Sequence, residues 1–362
     1  MKRYIGIMVG TDVFKGIPEG RTSFENLSFY EEAGERYNVT PCYFRFQDIT
    51  PGDETVEAYV KSDGVYSLKS VPKPAVIHNR TFTGKLAEKR KIRDLKNEGI
   101  VFFNENNRYK KLRINEILAE NHCIRPHIPQ TLKSNEDNVK MMMERHNGLI
   151  LKPNSGSLGI GIVKLTKEGD RQWLITYREK KALIKETFST EWPPLLKQLA
   201  SRNHVIIQEM IPLAKSKGRV FDCRVSVQKN EKGEWQVTGI VGKVAKKGWF
   251  LTNVARGGKC QALKGLVKAL PHLHEEKVKM EIETLSLAAA RQLEQSLPNL
   301  ADLGFDIGIT KEGFPMVIEC NCRELRYSFR NAGLLEEWKR THFTPIGYAH
   351  FLLETGRKKQ VE

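Results

Sequence analysis

Residues 305–322, FDIGITKEGFPMVIECNC, constrain the fold more than any other stretch of the 362-residue chain. Two short apolar runs flank the turn signal Lys311-Glu312-Gly313, which reads as two antiparallel strands and their hairpin. Asp306 lies near the end of the first run; Glu319 and Asn321 close the second. Side chains two residues apart on a strand share a face, so Glu319 and Asn321 point together. Neighbouring strands can bring Asp306 to the same end of the sheet. Polar strand ends are one reading. The other is convergence on a cation. Mg²⁺ takes oxygen ligands in octahedral geometry and is commonly held by one or two carboxylates, with phosphates and waters completing the shell.

Upstream, the first hundred residues alternate β-rich runs with polar stretches. Segments 4–9, 40–46, 64–66 and 75–78 read as strands and 24–37 as a helix, a pattern that predicts a parallel α/β unit. No GxGxxG follows the first strand, so the dinucleotide fingerprint is absent. Residues 108–121 place Leu112, Ile114, Ile117 and Leu118 at helical spacing. Segment 204–213 reads as a strand entering a loop. Segments 219–228, 236–245 and 248–255 read as antiparallel strands. Val278, Ile282, Leu285, Ala289, Leu293 and Leu297 recur at steps of three or four, an amphipathic helix over 278–297. A short helix begins near Pro194, and the tail 356–362 reads as frayed.

The segment KPNSGSLGIG sets Gly156, Gly159 and Gly161 between two β-branched runs, with Lys152 ending the first. Glycines let backbone N–H groups approach a phosphate, and a lysine adds a point charge for it. A flexible hairpin turn is the plainer alternative. GxxxxGK[ST] is absent, since Gly258-Lys259 is followed by Cys260.

The net charge of +16 favours an anionic partner: nucleotide, phosphopolymer, acidic peptide or nucleic acid. No RNP1 motif, zinc finger or basic zipper accompanies it, so sequence-specific nucleic-acid binding is not expected. No run reaches the length of a membrane span, and the start MKRYIGIMVG lacks the long apolar region of a signal peptide. The six cysteines include one close pair, Cys320 and Cys322, with no second pair to complete a zinc site, and read as free thiols in a reducing cytoplasm. The nine histidines show no metal spacing, and His272 and His274 read as surface residues.

Four segments in order resemble the ATP-grasp superfamily: Lys111 in YKKLRINEIL, Lys152 with its glycine loop, the strand VIIQEMI, and FDIG followed by VIECN. They cover roughly residues 105–325. The whole chain also resembles the YheC/YheD family of endospore coat-associated proteins. The resemblance implies an α/β fold, α+β in its lid, with an N-terminal pre-ATP-grasp-like domain over 1–107. A central lid subdomain would follow over 108–205 and a C-terminal subdomain with the metal site over 206–355. It implies ATP as cofactor, with Lys111 and Lys152 on the α- and β-phosphates. The loop with Gly156, Ser157, Gly159 and Gly161 would lie over them, Gln208 against the adenine amino group, and the backbone from Glu209 to Ile211 along the adenine edge. Asp306, Glu319 and Asn321 would hold Mg²⁺, as one or two ions, with Mn²⁺ able to substitute. Arg224, Asn253 and Arg256 would lie near the transferred group.

The implied activity is a carboxylate–amine ligation through an acyl phosphate. Its substrates would be anionic, an acidic peptide or envelope polymer, with spore-coat proteins as further partners and the mother-cell cytoplasm or the endospore coat as its place. A non-catalytic coat protein that keeps the fold is the alternative; a basic polyanion binder is a third. Two departures stand out. Cys322-Arg323-Glu324-Leu325 replaces the small residues and Pro-Gly that commonly follow the Asn, which puts Arg323, Arg326 and Arg330 on one face if the segment is helical. That face is either solvated or an anion clamp. Gly304 stands where some peptide ligases carry an arginine, which leaves more of that work to Arg224.

Overall fold

The computed structural model describes residues 2–156, 159–180 and 182–361, with side chains through residue 356. Three sheets follow one another along the chain. The first contains β1 (Tyr4–Met8), β2 (Thr40–Phe44), β3 (Thr55–Ser62), β4 (Val65–Pro72), β5 (Val76–Asn79) and β6 (Val101–Phe103), in the order β4-β3-β2-β1-β5-β6. β1 pairs in parallel with β2 and β5, and β5 with β6, as the alternating pattern predicts. The strand expected over 64–66 is corrected. Asp63 and Gly64 take φ of 52° and 81°, the two-residue turn of a β3–β4 hairpin, and the strand proper starts at Val65.

Apolar residues cover both faces of this sheet. Ile5, Ile7 and Val76 pack under the helices Leu27–Tyr37 and Leu335–Val361, while Met8, Phe44 and Ile77 pack under Leu86–Asn97. The last helix runs to Val361, so residues 356–361 are helical rather than a frayed tail.

The second sheet is antiparallel. It comprises β7 (Thr131–Lys133), β8 (Gly148–Pro153), β9 (Val163–Lys167), β10 (Trp173–Glu179), β11 (Ala182–Phe188) and β12 (Val205–Glu209), in the order β11-β10-β9-β8-β12-β7. One face buries Leu149, Leu151, Leu165 and Ile175 against the helices Glu136–Arg145 and Pro194–Ala200. The third sheet comprises β13 (Lys215–Ser216), β14 (Arg219–Lys229), β15 (Trp235–Val244), β16 (Lys259–Gln261), β17 (Asp302–Ile309) and β18 (Pro315–Asn321). Its order is β16-β15-β14-β17-β18, with β13 on β14. The helix Glu275–Ser296 lays Val278, Ile282, Leu285, Ala289 and Leu293 on it at the expected spacing, beside Ile114, Ile117 and Leu118 of the helix Lys111–Glu120. The strand expected over 248–255 is corrected too. Gly248 has φ of 76°, the segment ends in a single tight turn at Val254–Arg256, and β16 takes the edge beside β15. The expected division at 205/206 falls inside β12.

A buried ionic cluster joins the first sheet to the third. Arg80 Nη2 lies 2.6 Å from Glu25 Oε1, and its Nη1 3.3 Å from Asp302 Oδ2. Arg326 Nη2 reaches the same Asp302 oxygen at 2.6 Å, and its Nη1 donates to Tyr30 Oη at 2.5 Å. Burial alone would raise the Asp302 carboxyl, but the Arg326 guanidinium first, with His78 and Arg80, holds it well below the usual range. Arg323, Arg326 and Arg330 therefore do not share a face. Arg326 sits at φ of 62° ahead of the short helix Tyr327–Asn331 and points inward, which breaks the helical spacing. Arg323 lies over the Phe82 ring at 4.3 Å, and Arg330 donates to the Ser23 carbonyl at 3.5 Å.

Removing one member of the cluster strands the others without a counter-charge. Arg326→Met should lower the unfolding free energy, measured by urea titration at pH 7, by about 3–5 kcal/mol. Asp302→Asn combined with Arg326→Met should recover part of that loss. An effect no larger than that of an exposed Arg330→Met would show that the cluster does not hold the sheets together.

Candidate functional site

A cavity of about 570 Å³ opens between the uncovered face of the second sheet and the third sheet. Registry explains how its charged side chains meet. Across the third sheet Arg224 pairs with Asp306, and Asp306 with Glu319. Directly opposed residues share a face, so the two carboxylates stand side by side. Both line the cavity, Asp306 at only 5% exposure. Across the second sheet Lys152 and Ile150 of β8 oppose Ile206 and Gln208 of β12.

Lys111 begins its helix at the junction with the glycine loop. Its N–H donates to the Asn154 carbonyl at 3.0 Å, and Leu112 N–H donates to Asn154 Oδ1 at 3.0 Å. The Lys111 ammonium is thereby placed to donate to Glu319 Oε1 at 2.8 Å and to the Gly156 carbonyl at 2.9 Å. Gly156, Gly159 and Gly161 take φ of 147°, 65° and 70°, values that side chains rarely adopt. A Cβ on Gly159 would lie 2.9 Å from Asn253 Oδ1, so this loop closes on the loop that carries Asn253. Ser157 lies outside the described residues.

The electrostatics separate two aspartates on neighbouring strands. Asp306 Oδ1 accepts from Arg224 Nε at 2.7 Å and lies 2.8 Å from Lys243 Nζ. Burial works to raise its carboxyl, and the two cations outweigh burial, so it is held well below the usual range. Asp222, 3.1 Å from the same Lys243 ammonium and hydrogen-bonded by the Thr252 hydroxyl, moves the other way. Burial raises it, Asp306 adds to the rise, and Lys243 offsets only part. Lys152 is 6% exposed and donates to Gln208 Oε1 at 2.7 Å. Burial pushes its ammonium down to about 8, with Lys111 contributing, against the opposing pull of Glu319 and Asp306.

The structure thus brings Lys111, Lys152, Gly156, Gly159, Gln208, Glu209, Ile211, Asn253, Asp306 and Glu319 to one cavity. Gln208 has its amide committed to Lys152 and to Thr131 Oγ1, at 2.7 Å each. Glu209 and Met210 N–H groups donate to the Gln130 and Gly148 carbonyls. Arg224, Arg256, Gly161 and Asn321 do not line the cavity. Arg224 lies beside Asp306 on the neighbouring strand and also donates to Glu324 Oε1 at 3.2 Å. Asn321 is half-buried two residues beyond Glu319 and opposite Gly304. Sequence reasoning missed Lys243, Asp222 and Glu324. Asp222-Cys223-Arg224 on a strand sets two opposite charges on one face, which is a legible signal, whereas Lys243 emerges only once β15 is registered on β14.

No group of three His, Cys, Asp or Glu side chains stands close enough to hold a metal among the described residues. Asp306 and Glu319 fit Mg²⁺ in another way, as two hard oxygen donors from paired positions in a shell completed by phosphate and water.

Residues 99–352 match the family model for YheC/D like ATP-grasp. The endospore coat-associated protein YheD of Bacillus subtilis (strain 168) is 24% identical over 342 residues, covering 91% of this chain and 73% of that protein. YheC of the same organism is 23% identical over 326 residues, covering 87% of this chain and 88% of that protein. Among solved structures, D-alanyl-alanine synthetase A from Vibrio cholerae O1 biovar eltor str. N16961 matches with a TM-score of 0.53 and 13% identity, over 100% of this chain and 99% of that one. That likeness is one of fold, and the ATP-grasp architecture expected from the sequence is the one found.

The buried ammonium yields a prediction. In ¹³C-lysine-labelled protein, one Cε resonance should titrate with a midpoint near 8 and be missing from Lys152→Arg. As pH rises through that midpoint the charge is lost, so affinity for an anion bound there should fall. Titration of every lysine above ~9.5 would contradict the burial effect.

Proposed function

Because this chain belongs to the YheC/D-like ATP-grasp family, we propose that it binds Mg-ATP in the cavity and uses it to join a carboxylate to an amine. The observation that carries the reading is the direct registry of Asp306 with Glu319, with Lys111 and Lys243 on their oxygens and Lys152 nearby. In this reading the apolar side chains of Ile150, Met210, Ile211 and Ile318 receive the adenine, with Gln208 and the backbone from Glu209 to Ile211 at its edge. Lys111 and Lys152 take the α- and β-phosphates. Asp306 and Glu319, with Asn321 two residues further along the same strand, would hold Mg²⁺, as one or two ions and replaceable by Mn²⁺, and the metal would supply charge neutralisation for phosphoryl transfer.

The chain's own groups do the rest. A substrate carboxylate oxygen attacks the γ-phosphorus, ADP leaves, and an amine then displaces phosphate from the acyl carbon and loses a proton. Little covalent help is needed; positioned cations matter most. Arg224 and Lys243 keep Asp306 ionised, and Asn253 meets the glycine loop over the phosphates, where closure keeps water from the acyl phosphate. Arg256 follows on the same loop. An acidic peptide or envelope substrate suits the +16 charge. The names of the two Bacillus relatives point to sporulation and the spore coat, with the mother-cell cytoplasm or the coat as its place.

One observation favours the second reading, a non-catalytic coat protein. A Cβ at Gly304 would fall 2.0 Å from Glu324 Oε2, so an arginine there, where some peptide ligases have one, would have to displace the Glu324 carboxylate.

Calorimetry with ATP, with and without Mg²⁺, separates the readings. Wild type should bind in a Mg²⁺-dependent manner, and Glu319→Gln should weaken binding by about tenfold or more, a change of about 1.4 kcal/mol. Asp306→Asn should do the same, with thermal melting checking that the uncompensated Arg224 and Lys243 have not unfolded the protein. Binding would justify a screen of carboxylate and amine pairs for ADP release. No binding by wild type would leave the coat-protein reading standing.

A further inference from the structure

The cavity has a second charged region that the nucleotide reading leaves unused. Lys164, Thr176 and Lys185 pair in sequence across β9, β10 and β11, which sets them in one row. Ile150 and Gln208 continue the row on β8 and β12, and all five line the cavity. By the same registry this face of β9–β11 also carries Thr166, Leu174, Arg178, Leu183 and Thr187. Within the strands it therefore holds three cations and no carboxylate; Glu179 and Glu186 lie on the opposite face, and Glu168, just past β9, is an acid that partly offsets the charge around Lys164.

Lys215 enters the same corner from β13. Lys164, Lys185 and Lys215 have no ion-pair partner among the described residues. After burial, Lys185 and Lys215 are the largest influences that lower the Lys164 ammonium's pKa. Phe250 and Trp249 of the loop across the cavity lie against these cations, with Lys164 Nζ 5.3 Å from the Phe250 ring centre and the Arg178 guanidinium 5.5 Å from that of Trp249. Thr176 is 4% exposed, and its Oγ1 has no hydrogen-bond partner among the described residues.

A dry hydroxyl donor between like charges costs free energy until an anion joins them. We propose that this corner is a second anion subsite, which binds a phosphate monoester. Lysine ammonium groups act as point-charge phosphate binders, and the hydroxyl donates to a phosphate oxygen. A dianion offsets three lysines better than a carboxylate does. Thr176 stands two strands from Ile150, about 10 Å, which is too far to share a phosphate with Lys152. The inference rests on the nucleotide reading in placing the subsite beside a nucleotide held by Lys111 and Lys152. The phosphate belongs either to the nucleotide's ribose or to the second substrate; the recognising chemistry is the same.

Inorganic phosphate is the probe, titrated by calorimetry at low salt into wild type and Lys164→Gln/Lys185→Gln, with and without saturating Mg-ADP. Phosphate should bind wild type in both states and bind the double variant about tenfold or more weakly, while Mg-ADP affinity stays within about threefold. Thr176→Val should weaken phosphate in the same direction. Phosphate binding that vanishes once Mg-ADP is bound overturns the proposal, as does a matched loss of Mg-ADP affinity in the double variant, because the row would then serve the nucleotide's own phosphates. Unchanged phosphate binding in the double variant overturns it as well. If Mg-ADP fails to bind at all, the nucleotide reading falls, and phosphate titration of the free protein still decides the subsite. Tighter binding of adenosine 3′,5′-bisphosphate than AMP assigns the phosphate to the nucleotide; tighter binding of a phosphoserine than a serine peptide assigns it to the substrate.

Discussion

The pairing of Asp302 with Arg326 and Arg80 is the interaction on which the rest of the structure depends. Asp302 is the first residue of β17, and Arg326 follows shortly after β18. The hairpin that carries Asp306 and Glu319 is therefore tied at its open end to Arg80, just past β5 of the first sheet. Such a cluster is expensive to desolvate, and only near-complete pairing offsets the cost. Here the pairing is dense. Glu25 meets Arg80 and the Tyr30 hydroxyl, and Asp302 Oδ1 accepts from Gln228 Nε2 at 2.8 Å. Burial pushes the His78 imidazole down to about 4, so it adds no charge at neutral pH. What the cluster adds is position: the two carboxylates of the cavity cannot drift relative to the first sheet without breaking it.

Within the cavity, charge is handled in two ways. Around the paired strands β14, β17 and β18, three cavity carboxylates each have a cation. Asp306 has Arg224 and Lys243, Glu319 has Lys111, and Asp222 shares Lys243. An incoming phosphate and cation would exchange partners there rather than meet bare charges, which keeps the resting protein stable. Within the outer strands of the second sheet the lysines have no acid on their face. The contrast follows from registry alone. On β14, β17 and β18 the row sets Arg224 beside Asp306 and Asp306 beside Glu319, mixing base with acid, whereas the row on β9 to β11 carries Lys164 and Lys185 with no acid between them.

Much of this was legible before the structure, and the reasons are local. The hairpin around Asp306 and Glu319 announces itself by two apolar runs and a glycine turn, and the helix over 278–297 by its spacing. Lys111, Lys152 and the glycine loop stood out because charge and glycine cluster in short segments. What stayed hidden depends on which strands neighbour which. Lys243 looks like one more surface lysine in GKVAKKGW until β15 is laid on β14 opposite Asp222. The spacing of Arg323, Arg326 and Arg330 fits a helix, but Arg326 turns inward in a left-handed conformation because Asp302 and Tyr30 wait for it. Segment 248–255 has the composition of a strand, yet β16 occupies the edge that it would need.

Glu324 shows why the cluster and the cavity cannot vary separately. Its carbonyl accepts from Arg80 Nη2 at 2.6 Å, and its Oε1 accepts from Arg326 N–H at 2.9 Å and Arg224 Nη1 at 3.2 Å. Its Oε2 covers Gly304, where a Cβ would fall 2.0 Å away. A side chain at 304 would displace Glu324, and the disturbance would run in two directions. Arg224, which supports Asp306, would lose a partner, and the turn that delivers Arg326 to Asp302 would lose its hydrogen bond. The bare α-carbon at 304, the glutamate at 324 and the left-handed arginine at 326 are thus one arrangement. An arginine introduced at 304 would need compensating changes at 324 and 326 before it could reach the cavity.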